Sequence, residues 1–236
     1  MLRIVALASL LLMLGCAQRN TLEGLADSYS ALGYEHLQRD ERPAARVAFR
    51  EAIALEPNLA QAYLGLALGF ERDGETALAE DYYRQAIHIE PQPAFAHALG
   101  QFLVRQQRLP EAAIVLQQAT ADVDYQGRAM AFEDLAMLRL YQTDVLQARE
   151  AFVRALTLDQ SLPVPHWHLA HLALAEHEYA EAHTHYLALE RLIATGVLEH
   201  SAQTLQLGMT LSEARNDALM RQRLQHQLEL IHPDQP

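Results

Sequence analysis

The sequence predicts an all-α solenoid of about six stacked helical hairpins. Three observations lead there. The stretch FREAIALEPN, Phe49 to Asn58, returns 34 residues later as YRQAIHIEPQ, Tyr83 to Gln92. Ala, Leu, Gln, Glu and Arg dominate the composition, and all are strong helix formers. Val, Ile and Thr do not gather in the alternating runs that a half-buried strand requires. A fixed period in this range marks units that cannot bury their apolar faces alone and must stack.

The chain opens on a targeting segment. Arg3 supplies a positive start, and Ile4 to Leu14 is an apolar run shorter than the roughly 20 residues a membrane-spanning helix needs. It ends in LMLGCAQ. A small residue, Gly15, followed by Cys16 resembles a bacterial lipobox, in which the Cys thiol receives a diacylglyceryl group before cleavage in front of it. Cys16 is the only cysteine, which excludes an intrachain disulfide and a site of several thiolates. Residues 1–15 are therefore expected to form a lipoprotein signal peptide, and 16–25 a lipidated N-terminus with a short tether. Several acyl chains on one residue anchor durably. By likeness to lipoprotein sorting, Ala17 in place of Asp favours the outer membrane, with the protein on its periplasmic face.

The repeats follow, over 26–236. The first copy supplies Tyr29, Leu32, Gly33, His36, Ala45, Phe49, Ala52 and Pro57. The second supplies Tyr63, Leu66, Ala67, Phe70, Ala79, Tyr83, Ala86 and Pro91, member by member at the same offset. Bulky, Leu, small, aromatic, then Ala, aromatic, Ala, Pro is the tetratricopeptide pattern. Its logic is packing. Small residues let two antiparallel helices approach, aromatics fill the space between hairpins, and Pro stops the second helix. A third copy shows Leu99, Gly100, Leu103, Ala112, Leu116 and Ala119. A fourth shows Phe132, Leu135, Ala136, Ala148, Phe152 and Ala155, and a fifth Leu169, Ala170, Ala182 and Tyr186. The sixth keeps only Leu207, Gly208, Leu211 and Leu224, as befits a terminal unit that needs a polar outer face. The repeats fall at about 26–59, 60–92, 93–126, 129–162, 163–196 and 201–234, with Gly127–Arg128 and Val197–His200 outside them.

A formal net charge of −12 and the lack of a basic stripe argue against a nucleic-acid partner. No Gly-rich phosphate loop follows a strand, and neither G-x-S-x-G nor H-E-x-x-H occurs. Acidic pairs such as Glu80–Asp81 and Glu133–Asp134 are sequence neighbours that point apart on a helix. Six histidines lie between His166 and His185. His168 and His171 share a helical face by spacing, but His166 takes a core position, and His168, His183 and His185 fall on different faces. Zinc needs three or four convergent ligands, so no metal, cofactor or small-molecule substrate is expected, and no catalytic residue.

In such a solenoid the first helix of each hairpin lines the concave face. Its exposed positions form a candidate groove of Tyr34, Leu37, Leu64, Leu68, Val104, Met137, Leu140, Tyr141, Trp167 and Leu174. Ser30, Glu71, Arg72, His97, Gln101, Arg105, Glu133 and His171 fall among them. The groove lacks the Lys and Asn that clamp a C-terminal carboxylate in some tetratricopeptide domains. An apolar face of this kind suits an extended or helical protein segment with regularly spaced anchors.

A lipobox followed by six such repeats resembles the type IV pilus biogenesis and stability lipoproteins, the PilF/PilW-type pilotins. The likeness is strongest in LGYEHLQRDERPAARVAFREAIALEPN, QFLVRQQRLPEAAIVLQQA, AFEDLAMLRLYQTDVLQAREAFVRAL, EYAEAHTHYLAL and LQLGMTLSEARND. The chain has AHALG, with His97 and Gly100, where the family carries an Asn-rich NNYG. The resemblance implies a non-enzymatic outer-membrane scaffold. It would bind subunits of the pilus secretin through its N-terminal repeats, at Tyr34, Leu37, Leu64 and Leu68, with Cys16 as anchor. It would promote their localisation and multimerisation. Two other readings fit parts of the sequence: an envelope adaptor for outer-membrane protein insertion or cell-wall enzymes, and a metal-dependent hydrolase using the His cluster.

Overall fold

The computed structural model describes residues 22–231, so the signal peptide, the lipidation site Cys16 and most of the expected tether lie outside the described residues. Among the described residues there are twelve helices and no strand. They are α1 (22–38), α2 (Arg42–Leu55), α3 (Ala60–Arg72), α4 (Thr76–Ile89), α5 (Pro93–Arg105) and α6 (Leu109–Ala121). After them come α7 (Arg128–Tyr141), α8 (Val145–Leu158), α9 (Pro163–Ala175), α10 (Tyr179–Ala194), α11 (Ala202–Ala214) and α12 (Ala218–Ile231). The chain divides into two compact units, one ending at Gln118 and the other starting at Ala119.

In the first unit the repeat grammar becomes close packing. Phe49 on α2 is fully buried. Its ring lies between Gly33 of α1 and Gly65 of α3: a Cβ on Gly33 would sit 2.5 Å from it, and one on Gly65 nearer still. Tyr34 meets the same ring edge-on at 5.0 Å. One hairpin later, Tyr83 on α4 is fully buried against Phe102, with ring centroids 5.3 Å apart. Arg42 and Arg46 on α2 reach Asp73 after α3, and Arg108 before α6 reaches Glu80 on α4 and Glu111.

The second unit repeats the scheme. Phe152 on α8 is fully buried with Ala136, Ala148, Ala155 and Leu169. Tyr186 on α10 is buried with Leu205, Leu211 and Leu224, and a Cβ on Gly208 would lie 2.5 Å from its hydroxyl. Arg149 on α8 pairs with Glu176 and Glu181, and Arg223 on α12 with Glu190 on α10.

Helix α1 is already formed at residue 22, four residues before the solenoid was expected to begin. Leu22 and Leu25 extend the stripe of Tyr29 and Leu32 at helical spacing, a signal the consensus start of the repeat does not include. Leu32 is 40 % exposed, whereas its counterpart Leu66 is 1 % exposed. Among the described residues α1 has no preceding hairpin to cover that face. Arg128, expected between repeats, is the first residue of α7, and its Nε donates to the Thr120 carbonyl at 2.8 Å.

The two helices of every hairpin are joined by the same turn. Asp40, Gly74, Gln107, Thr143, His177 and Asn216 all adopt positive φ, between 55° and 78°. In each case the next amide donates back to a carbonyl five residues earlier, as from Glu75 to Phe70 at 2.9 Å and from Asp144 to Arg139 at 2.9 Å. This is the Schellman closure, which wants glycine at the left-handed position. Only one of the six has it. Thr143 is β-branched at φ +61° and exposed. Thr143→Gly is expected to stabilise the fold by about 1 kcal/mol by relieving backbone strain. An unchanged or lower denaturant midpoint would reject that account.

Candidate functional site

The first helices of the hairpins carry the expected groove residues, and each unit presents its own set. In the first unit, Tyr34 is fixed in place. Its hydroxyl donates to the Gln61 carbonyl at 2.8 Å and accepts from Gln61 Nε2 at 3.0 Å, and burial pushes its phenol above the ordinary range. Tyr34 thus straps α1 to α3.

Leu37 is corrected from groove to core, at 3 % exposure. The cause is Gly69 on α3, which lacks a side chain and faces Leu37 Cδ2, while Arg72 donates to the Leu37 carbonyl. His97, expected on the open face, is 6 % exposed. Leu64, Leu68 and Val104 are half-buried, and Leu64 leans on the cluster of Ala60, Ala86 and Phe95. Beside them Glu71 accepts from the Tyr83 hydroxyl at 2.7 Å and from Arg105 Nε at 2.5 Å. That carboxylate holds the Tyr83 phenol above its ordinary value, together with burial, which is the larger cause. The first unit therefore offers an apolar strip whose flanking charges are internally matched.

In the second unit Met137 and Leu140 are half-buried over the Phe132 and Phe152 cluster, and Tyr141 is exposed. Trp167 and Leu174 are half-buried on α9 against the Tyr186 cluster. Trp167 meets His168 edge-on at 4.8 Å and lies 4.1 Å from His171, while His168 stacks on Phe152 at 5.1 Å. Burial lowers the pKa of both imidazoles. Beside Trp167 opens a cavity of about 260 Å³ lined by Val164, His168, Leu189, Leu198 and Thr204 among others.

Two features escape sequence reasoning. Glu133, half-buried on α7, has its carboxyl pushed up to about 6 by burial and by its neighbour Asp134. His166, expected at a core position, and His185 meet at 2.9 Å between their Nδ1 atoms. A lone helical wheel cannot show either, because both depend on what an adjacent helix covers. Among the described residues no three His, Cys, Asp or Glu side chains are grouped to hold a metal ion. Among the same residues no helix is long and apolar enough to cross a membrane.

Stacked hairpins with Ala and Gly at the close approaches, aromatics between them and half-buried apolar strips on their first helices define a tetratricopeptide-repeat protein. No family model matches the chain. It is 33 % identical over 192 residues to the type IV pilus assembly protein PilF of Pseudomonas aeruginosa, covering 81 % of this chain and 74 % of that protein. The chain therefore belongs to the PilF family of type IV pilus assembly proteins. The solved structure of Pseudomonas aeruginosa PilF matches with a TM-score of 0.79 at 30 % identity, over 91 % of this chain and 95 % of that one. The structure of PilW, a type IV pilus biogenesis factor, shares the fold with a TM-score of 0.70 at 20 % identity, over 89 % and 95 % of the two chains.

Proposed function

We propose that the protein is a non-enzymatic scaffold on the periplasmic face of the outer membrane, lipid-anchored through Cys16, that binds type IV pilus secretin subunits. It promotes their localisation and multimerisation. Membership of the PilF family carries this reading. The strip of Leu64, Leu68 and Val104 supports it: side chains left half-exposed beside matched charges are suited to a protein segment, not to a reactive substrate. Leu37 is buried beside Gly69 of the same helix as Leu64 and Leu68, and Tyr34 holds α1 to that helix through Gln61.

A deletion strain tests the proposal. Secretin multimers are expected to vanish from the outer membrane while monomer persists, and normal multimers would overturn the reading. Complementation with Leu68→Asp should fail to restore multimers although the purified variant keeps its helical circular dichroism. A charge planted on the strip costs desolvation in the complex that it does not cost in the free protein. Cys16→Ala should yield a soluble periplasmic protein, and unchanged membrane fractionation would refute the anchor.

A further inference from the structure

We propose that the second unit carries a docking face of its own, built for an apolar polypeptide segment that bears one Lys or Arg to pair with Glu133. The face consists of two stripes. On α7, Glu133, Met137, Leu140 and Tyr141 recur at i, i+4, i+7 and i+8, so they share one side of the helix. On α9, Trp167 and Leu174 recur at i and i+7. The stripes belong to the first helices of consecutive hairpins, and Met137 and Leu140 pack on a cluster that includes Leu169 of α9. Tyr141 is 67 % exposed, a large aromatic surface left open at the end of its stripe.

Charge decides the occupant. Among the half-buried and neighbouring carboxylates of this unit, Glu176 and Glu181 have Arg149, and Glu190 has Arg223. Glu133 has no cation or hydrogen-bond donor among the described residues, yet its carboxyl is half-desolvated. A purely apolar partner would bury it uncompensated, which is strongly unfavourable. A partner's ammonium or guanidinium turns the same group into a charge-assisted hydrogen bond. The net charge of −12 also draws a basic segment and repels nucleic acid and anionic membrane. This face is independent of what the first unit binds.

A random peptide library displayed on phage, selected in parallel on the intact protein and on Glu133→Gln, tests the proposal. Trp167, the only tryptophan, reports binding. Peptides selected on the wild type should carry one Lys or Arg three or four residues from apolar anchors and should shift Trp167 emission on titration. Replacing that basic residue by norleucine should weaken binding about tenfold to the wild type and leave binding to Glu133→Gln nearly unchanged. Met137→Ala should weaken both peptides alike. The proposal is overturned if selected peptides lack the basic residue, if the basic preference survives Glu133→Gln, or if no bound peptide disturbs Trp167.

Discussion

Phe49→Ala is expected to destabilise the protein by about 3–5 kcal/mol, the cost of emptying a fully buried aromatic site. The site cannot relax, because three helices meet on that ring. Gly33 and Gly65 press on its faces through bare backbone, and Tyr34 meets it edge-on. The glycines give a second, sharper test. Gly65→Ala drives a methyl group into the Phe49 ring and should itself be strongly destabilising. In a Phe49→Ala background the same methyl group enters free space, so the two effects should be far from additive. Denaturant unfolding followed by circular dichroism measures all three variants. Trp167 belongs to the second unit, so its fluorescence should respond at higher denaturant than the ellipticity does in Phe49→Ala. Additive effects, or a small loss for Phe49→Ala, would mean that the ring is not the keystone of the first unit.

The second large effect is a loss of stability in acid that passes through one imidazole. His185 is pushed down to about 4 from an ordinary 6.5, first by burial, then by His166 and Arg149. His166 is lowered too, mainly by burial and in part by Arg191, although the Gln160 carbonyl opposes the shift. The geometry explains why His166 in particular resists protonation, while burial is the main cause for His185. His166 Nε2 faces the Gln160 carbonyl at 3.2 Å and so carries a hydrogen, which leaves its Nδ1 as the acceptor for Nδ1–H of His185. Protonating His166 would set two donors face to face. Glu181 stands 3.9 Å from His185 Nε2 but already serves Arg149, so it offers little relief.

Because the folded-state pKa is depressed, the unfolded chain takes up protons first as pH falls. Stability is therefore full above pH 6.5 and drains away toward pH 4. For His185 alone the loss is on the order of 3 kcal/mol. Between those limits the midpoint of the wild type should fall relative to that of His185→Gln as the pH is lowered. Parallel curves would show that the pair does not govern the acid response.

Much of this was legible from the repeat period, because period and packing are the same fact. The copies beginning at Tyr29 and Tyr63 name the small residues and aromatics that the structure buries, down to Phe49 and Tyr83. The period cannot say how far a neighbouring helix covers a position. Leu37 looked like its exposed counterpart positions, and only Gly69 on the next hairpin draws it into the core. Turn chemistry was equally silent at two of the six turns, since Gln107 and Thr143 occupy the left-handed position without any of the usual residues to mark it. Glu133 reads as one more surface acid until α7 and its surroundings remove half of its water. The period places the groove candidates on the first helices of the hairpins, and it cannot say how deeply each one is buried.

The arginine–carboxylate pairs that join one hairpin to the next have a consequence for assembly. Near-identical building blocks can stack in the wrong order, because any apolar surface fits any other tolerably well. Arg42 and Arg46 with Asp73, Arg108 with Glu80, Arg149 with Glu176, and Arg223 with Glu190 act as address labels on otherwise interchangeable bricks. A hairpin docked out of turn within its unit would forgo these pairs, which biases each unit toward a single order.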